Sequence, residues 1–261
     1  MDLNLPKELK AFRTKILSSN QPYIEIFPEK VPDMEWWDSK VGGFPYLPKS
    51  ADFPVDKDGI HLLFLAQINF EQVPDLEGFP KKGLLQFYIC DDEDLGMDFD
   101  NLQNQNRFRV VYFPEIDKTF DNLVTDFSFL RNYDGYPPIS HRNAYPLAFR
   151  KMEELVPVTD YRFEELFGED FFQQFDDREW DVKDEYTRQI SAGGHKLGGY
   201  AYFTQWDPRT TEEPMVLLFQ LDSDSNINCA WGDMGVGNFF IAKEDLEKLD
   251  FSKVLYNWDC Y

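Results

Sequence analysis

Residues 62–68 read LLFLAQI, and residues 217–221 read LLFQL. These apolar runs lie about 150 residues apart, and each holds one glutamine, Gln67 or Gln220. The same motifs surround both runs in the same order: a glycine pair, the run itself, a second apolar run and a last strand-like segment. In the first copy they are residues 42–43, 62–68, 84–89 and 109–112, and in the second copy 198–199, 217–221, 237–241 and 253–256. Such self-similarity indicates a duplicated β-rich module.

Runs of β-branched and aromatic residues that end in Gly, Pro or Asp clusters predict the strands. We expect strands at residues 23–27, 61–69, 84–89, 108–113, 199–204, 215–222, 236–241 and 253–258. The predicted fold is mainly β (α+β), a multi-sheet fold from two related β-rich modules that share a core. Within one compact domain, residues 1–261, module one spans about 36–117, an acidic helical connection about 150–185, and module two about 193–258.

A few peripheral helices complete the prediction. Apolar residues at helical spacing predict an amphipathic helix near the N-terminus; they are Leu5, Leu9, Phe12 and Ile16. Residues 160–185 hold 11 acidic and 3 basic residues, with phenylalanines near helical spacing. This segment predicts one or two short helices, capped by Thr159 or Asp160. A last short helix is expected at about residues 243–249.

The chain has 48 acidic and 26 basic residues and a formal net charge of −22. Such a surface repels phosphate backbones and anionic lipids, so we expect neither nucleic-acid nor membrane binding. Two interpretations of the charge remain: solubility alone, or steering of a basic partner. Cys90, Cys229 and Cys260 form no CxxC motif and are expected to be free thiols in a reducing cytoplasm. No signal-peptide pattern precedes them, which also favours a cytoplasmic location.

Familiar catalytic motifs are missing from the sequence. It has no GxSxG elbow, no HExxH pair and no complete phosphate-binding loop. We therefore predict no cofactor and favour a protein that is not an enzyme. The motif GGHKLGG at residues 193–199 nevertheless makes His195 a candidate for ligand binding.

Several glutamines occur in or beside apolar strands, where a buried amide must be hydrogen-bonded. They are Gln67, Gln86, Gln205 and Gln220. In one interpretation their amides bind backbone where the modules meet. In the other, they form the polar floor of a cleft between the modules and bind a ligand there.

Oxygen-bearing side chains with the spacing of a calcium loop follow the strand at 215–222. They are Asp222, Asp224, Asn226 and Asp233. Ile227 replaces the glycine that makes the turn in such loops, so a solvated Asx turn is the alternative. A second acidic run, DDEDLG at residues 91–96, has Leu95 where a calcium loop needs an oxygen ligand.

The motif WGDMGVG at residues 231–237 is dense in glycine, which permits close backbone approach or positive φ. Trp231 and Asp233 would suit the rim of a ligand site. A tight hairpin would use the same glycines without any ligand.

Taken with GGFPYLP at residues 42–48, LLFLAQINF at 62–70 and GGHKLGGYAYFTQWDPR at 193–209, these motifs resemble the YwqG-like family of bacterial proteins. The resemblance runs from about residue 36 to the C-terminus. It implies a predominantly β fold of related halves in a bacterial cytoplasmic protein. The family is a domain of unknown function, so the resemblance implies no catalytic residue, cofactor or substrate.

We expect a non-enzymatic binding or interaction protein, with an immunity-like or regulatory role toward a basic partner as a specific version. A small ligand in a cleft between the modules is the other partner consistent with this interpretation. The alternative function is a metal-assisted hydrolase in which Asp222, Asp233 and His195 converge.

Overall fold

The computed structural model describes residues 3–31, 33–131, 133 and 137–261. Within them, ten strands form one antiparallel sheet. The strands are β1 (Gln21–Pro28), β2 (Lys40–Gly42), β3 (Leu63–Asn69), β4 (Leu84–Ile89), β5 (Phe108–Phe113), β6 (Ala144–Glu154), β7 (His195–Gly198), β8 (Met215–Asp222), β9 (Val236–Ala242) and β10 (Leu255–Asp259). The α-helices are α1 (Arg13–Ser18), α2 (Tyr161–Phe167), α3 (Glu179–Gln189) and α4 (Lys243–Glu247). The longest has 11 residues, and none of these described helices could cross a membrane.

The strand order is β10-β9-β8-β7-β1-β6-β2-β3-β4-β5. The central strands β1 and β6 pair along their length, from Gln21 opposite Glu154 to Pro28 opposite Leu147. We call β2–β5 the first arm and β7–β10 the second arm. β1 pairs with β7 of the second arm, and β6 pairs with β2 of the first arm. β1 therefore pairs with the arm that lies farther away along the chain, and β6 pairs with the strand of the first arm that lies farthest from it in sequence.

The two arms pack face to face around a common apolar core. The Phe87 ring of β4 lies 4.6 Å from that of Phe219 in β8 and 4.8 Å from that of Phe239 in β9, measured between centroids. Phe108 of β5 lies 5.3 Å from Tyr256 of β10. The sheet thus folds over on itself and brings its two outermost strands, β5 and β10, close together.

The segment between β4 and β5 closes the seam between these outer strands. The Tyr256 backbone N–H donates to the Leu102 carbonyl at 2.9 Å, and the Tyr256 hydroxyl donates to the Leu95 carbonyl at 3.0 Å. The Trp258 indole N–H donates to the Asp94 carbonyl at 2.6 Å. The first of these bonds pairs a backbone N–H that an open sheet edge would leave unpaired, and the other two fix side chains of β10 against the same segment.

Helices α1–α3 form a separate apolar cluster with the chain that follows β6, whereas α4 contributes Leu246 to the core between the arms. Asp160 caps α2, because its side chain accepts a hydrogen bond from the Arg162 backbone N–H. The predicted N-terminal helix begins as a 3₁₀ turn, Lys7–Phe12, and continues as α1. Residues 160–185 contain α2, a 3₁₀ segment and most of α3, as the acidic pattern predicts.

The mainly β prediction is confirmed, and the structure corrects three details. The strands form one sheet rather than several. The strand predicted at residues 199–204 is wrong, because Gly198 and Gly199 have φ values of 70° and 71° and turn the chain after β7. The predicted connection also starts too early, since residues 150–154 belong to the central strand β6.

Candidate functional site

Gln67 is fully buried and is hydrogen-bonded to backbone of the first arm. Its side-chain NH₂ donates to the carbonyls of Trp36 and Asp38 at 2.8 and 2.7 Å. Its Oε1 accepts from the Tyr46 backbone N–H at 2.9 Å. The amide therefore joins the chain on both sides of β2 to the neighbouring strand β3.

Gln220 makes the same set of bonds in the second arm. Its NH₂ donates to the carbonyls of Ala192 and Gly194 at 2.9 and 2.7 Å, and its Oε1 accepts from the Tyr202 N–H at 2.8 Å. Lys40 of β2 lies opposite Gln67, and Lys196 of β7 lies opposite Gln220. In each arm, the two carbonyls that accept hydrogen bonds from the glutamine lie four and two residues before the lysine.

The next strand contributes a second amide in each arm. The Gln86 NH₂ donates to the Tyr46 carbonyl at 2.6 Å, and the Asn238 NH₂ donates to the Tyr202 carbonyl at 2.9 Å. Gln86 is fully buried, so these amides do not form an open polar floor. Gln205 is exposed, and its NH₂ donates to the Cys260 carbonyl at 2.7 Å.

His195 lines a cavity of about 310 Å³ beside β1. Its Nδ1 accepts from the Asp222 backbone N–H at 3.0 Å, and its Nε2 lies 3.3 Å from Asp224 Oδ2. Because Nδ1 is an acceptor, the neutral ring carries its proton on Nε2 and donates it to Asp224. Burial lowers the pKa of His195 below its ordinary value, which favours this neutral ring.

The two aspartates beside His195 have their oxygens engaged in local bonds. Asp222 accepts from the Gly194 and Ser223 backbone N–H groups at 2.7 and 2.8 Å, and burial raises the pKa of its carboxyl. Asp224 Oδ1 accepts from the backbone N–H and the side-chain NH₂ of Asn226 at 2.7 and 2.8 Å. This is the Asx geometry that the sequence offered as the alternative to a metal loop.

Asp233 is exposed and is not among the residues that line this cavity. Across residues 3–31, 33–131, 133 and 137–261, no group of three or more His, Cys, Asp and Glu side chains is placed to hold a metal ion. The structure thus brings His195 together with Asp222 and Asp224, but not with Asp233.

A larger cavity of about 930 Å³ opens where the seam between the arms is bridged. We call it the inter-arm cleft. Its described lining comprises Asp91, Asp92, Glu93, Leu95, Pro137, Ala230, Gly232 and Trp258. The acidic run at residues 91–93 follows β4 of the first arm, whereas Trp258 belongs to β10 of the second. The cleft therefore combines an acidic segment from one arm with a tryptophan from the other.

The three acidic residues of the cleft differ in their partners. Asp92 Oδ2 pairs with Arg107 Nη2 at 2.8 Å. The Asp91 side chain is only 2% exposed, and its Oδ2 lies 3.6 Å from Arg131 Nη2. Asp91 Oδ1 is buried and has no hydrogen-bond partner in the described part of the chain. Glu93 is exposed to solvent.

Trp231 packs behind the cleft and does not form its rim. It is fully buried, and its ring centroid lies 6.1 Å from that of Trp258. The neighbouring residues Ala230 and Gly232 are the ones that line the cleft. Gly237 packs against the Trp231 ring so closely that a Cβ there would overlap it. The glycine-rich motif thus serves close packing around an indole.

Two of the three thiols, those of Cys90 and Cys229, are poorly suited to nucleophilic chemistry. Burial raises the pKa of Cys90 to about 12 and also raises the pKa of Cys229. A nucleophilic cysteine needs a thiolate, and these groups hold their protons at neutral pH.

Sequence reasoning missed the inter-arm cleft. The run at residues 91–96 was compared only with a calcium loop, and nothing local connects it to Trp258, more than 160 residues away. The signal that could have found it is the absence of a lysine or arginine from residues 91–106, followed by Arg107.

One comparison with known proteins gives a family. The family model described as "Domain of unknown function (DUF1963)" matches residues 39–260, which is more than half of the chain. No curated protein gives a significant match.

Proposed function

The chain belongs to the DUF1963 family, a domain of unknown function, and we propose that it is a non-enzymatic binding protein whose inter-arm cleft holds a basic partner or cationic ligand. We also propose that it works in the bacterial cytoplasm and is a YwqG-like protein. The free cysteines are consistent with a reducing compartment.

One observation carries the binding proposal. The inter-arm cleft is lined by three consecutive acidic residues, and its described lining includes no lysine or arginine. Its volume of about 930 Å³ lies within the usual range of ligand sites. A cationic group that enters would meet the acidic segment of one arm and the Trp258 ring of the other.

The net charge of −22 supports a basic partner in a second way. A field of one sign raises the association rate of an oppositely charged partner, and added salt screens that attraction. An immunity-like or regulatory protein that neutralises a basic protein would use both the field and the cleft.

Binding of tetralysine peptide, measured by calorimetry at low ionic strength, tests the proposal. We expect Asp91→Asn/Glu93→Gln to weaken binding by about tenfold, because two carboxylates at the contact are lost. The matched control is Asp121→Asn/Glu247→Gln, which removes the same charge from exposed positions outside the cleft. Equal weakening in both variants would assign the binding to net charge and contradict a cleft site.

We also propose that the arms are copies of one module, at about residues 36–117 and 193–258. The matching bonds of Gln67 and Gln220, and of Gln86 and Asn238, support this duplication. In an experimental structure, superposition of β2–β5 on β7–β10 should place each amide on its counterpart. A best fit displaced by one residue would put them on opposite faces of the sheet and end the proposal.

A further inference from the structure

The inter-arm cleft contains a buried carboxylate with one unused oxygen. Asp91 lines the cleft, its side chain is 2% exposed, and Oδ1 has no hydrogen-bond partner among the described residues. A buried acceptor without a hydrogen-bond partner costs stability. Such groups are rare in folded proteins and often have a functional role or a bound water or ion as their partner. Arg131 does not supply it, since its Nη2 lies 3.6 Å from the other oxygen, beyond ordinary hydrogen-bond length.

The second arm contributes a fixed aromatic ring to the lining of the cleft. The Trp258 indole N–H donates to the Asp94 carbonyl at 2.6 Å, and the ring packs against Trp231 at 6.1 Å between centroids. Since its N–H is already used, Trp258 can contribute its ring to a ligand contact but no hydrogen bond. Cations are attracted to the face of an aromatic ring, and tryptophan is the strongest of the aromatic residues in this respect.

Leu95 and Pro137 add apolar surface to the same cavity. Together the lining offers a carboxylate oxygen, an aromatic ring and an apolar wall. These features match a planar cation on an alkyl chain. A guanidinium donates several N–H groups in one plane and stacks on aromatic rings, whereas an ammonium is a compact and strongly hydrated charge.

We propose that the inter-arm cleft recognises a guanidinium group on an alkyl chain, as in an arginine side chain, with Asp91 accepting its N–H donors and Trp258 stacking on its plane. This inference rests on the proposed binding function and names the ligand class. An arginine presented by a basic protein and a free alkylguanidine share this chemistry.

The test compares three capped peptides of the form Gly-X-Gly, in which X is arginine, lysine or citrulline. Citrulline has nearly the shape of arginine but is neutral. Titrations of the full chain are followed by calorimetry and tryptophan fluorescence at low ionic strength. We expect the arginine peptide to bind about tenfold tighter than the lysine peptide, and citrulline binding to be undetectable, because a site built for a charged donor rejects analogues that lack it. Agmatine, a free alkylguanidine, is titrated as well, to show whether the peptide backbone contributes.

Asp91→Asn should reduce arginine affinity by about tenfold, since the carboxylate becomes a neutral amide. Asp100→Asn is the matched control: it removes the same charge from an exposed position in the same acidic segment and should change affinity by less than about twofold. If Asp91→Asn does not fold, the arginine-to-citrulline ratio of the unmodified protein still decides the question. Equal binding of arginine and lysine would overturn the guanidinium assignment and leave the cationic cleft standing. No binding of any cationic peptide, tetralysine included, would overturn both.

Discussion

In the two arms, corresponding side-chain amides bind corresponding backbone groups, but the ionisable groups beside them differ. Gln67 and Gln220 bind corresponding backbone groups, and each faces a buried lysine across the sheet. Lys196 forms an ion pair with Glu154 at 2.6 Å, whereas the Lys40 ammonium donates to the Trp36 carbonyl at 3.2 Å and lies 5.6 Å from the Trp36 ring centroid.

A second position shows the same contrast. In the second arm, His195 Nδ1 accepts the backbone N–H of Asp222, the last residue of β8, at 3.0 Å. In the first arm, the Ser39 hydroxyl accepts the N–H of Asn69, the last residue of β3, at 2.9 Å. Amides that satisfy backbone are thus matched between the arms, while the charged and titratable groups differ. The matched groups define the fold, and the divergent ones are where function can differ.

The largest expected effect tests the matched groups. Gln67→Leu and Gln220→Leu should each lower the free energy of unfolding by about 3 kcal/mol or more, because each leaves buried backbone groups without partners. Urea denaturation monitored by circular dichroism measures both losses.

Gln205→Leu is the control, since this amide is exposed, and a change within about 0.5 kcal/mol is expected. A large loss of unfolding free energy in one of the two glutamine variants, with little change in the other, would contradict the correspondence between the arms.

Replacement of the two buried lysines by methionine should have different effects on stability. Lys196→Met leaves the buried Glu154 carboxylate without its cation and should cost about 3 kcal/mol, and Lys196→Met/Glu154→Leu should recover much of that loss. Lys40→Met strands no carboxylate and should leave stability equal or higher. Equal losses in both single variants would show that Lys40 has a partner as strong as Glu154.

Lys40 also predicts a difference in pH dependence. Burial lowers the pKa of Lys40 from 10.5 to about 8. Between these values the unfolded chain binds the proton more strongly, so this lysine opposes folding most below pH 8, and the penalty is relieved as pH rises toward 10.5. The stability advantage of Lys40→Met, measured by urea denaturation, should therefore shrink between pH 8 and 10. An advantage that stays constant would contradict the lowered pKa.

His195 should make stability depend on pH over a lower pH range than Lys40 does. Burial lowers its pKa, so the unfolded chain takes up the proton first, and stability falls as pH drops below 6.5. His195→Ser introduces the group found in the first arm and should flatten this loss, by at most about 1.4 kcal/mol per pH unit. Ser39→Ala, a control in the first arm, should leave the pH dependence unchanged in thermal melts at pH 5 to 7.

The smallest effect expected is that of calcium. Asp222 and Asp224 already bind nearby N–H groups, and Asp233 lies outside their cavity. We expect no site-specific heat when calcium is titrated into chelator-stripped protein by calorimetry. Heat that disappears in Asp233→Asn would instead establish the metal site.

The sequence predicts β3–β5 and β8–β10 well because these strands are runs of apolar and aromatic residues. It fails for β2, β6 and β7: β2 and β7 have only three and four residues, and β6 contains Pro146 and has one well-exposed stretch, so none of them shows a clear strand pattern. Gln67 and Gln220 were recognised as unusual, but their satisfaction by backbone depends on Lys40 and Lys196 lying opposite, which needs the register. The inter-arm cleft cannot be predicted from local sequence patterns, because Asp91 and Trp258 come to line one cavity only when the sheet folds over.

The pairing of β1 with the second arm and of β6 with the first arm has a consequence for how the chain folds during synthesis. β1 leaves the ribosome early, but its partners β6 and β7 are more than 110 residues away along the chain. Loop closure over such distances is slow, and an unpaired strand can meanwhile pair with other chains. The first arm must likewise wait for β6 before its inner edge is covered. The strand order that unites the two arms therefore delays completion of the sheet until strands separated by more than 110 residues have all been synthesised.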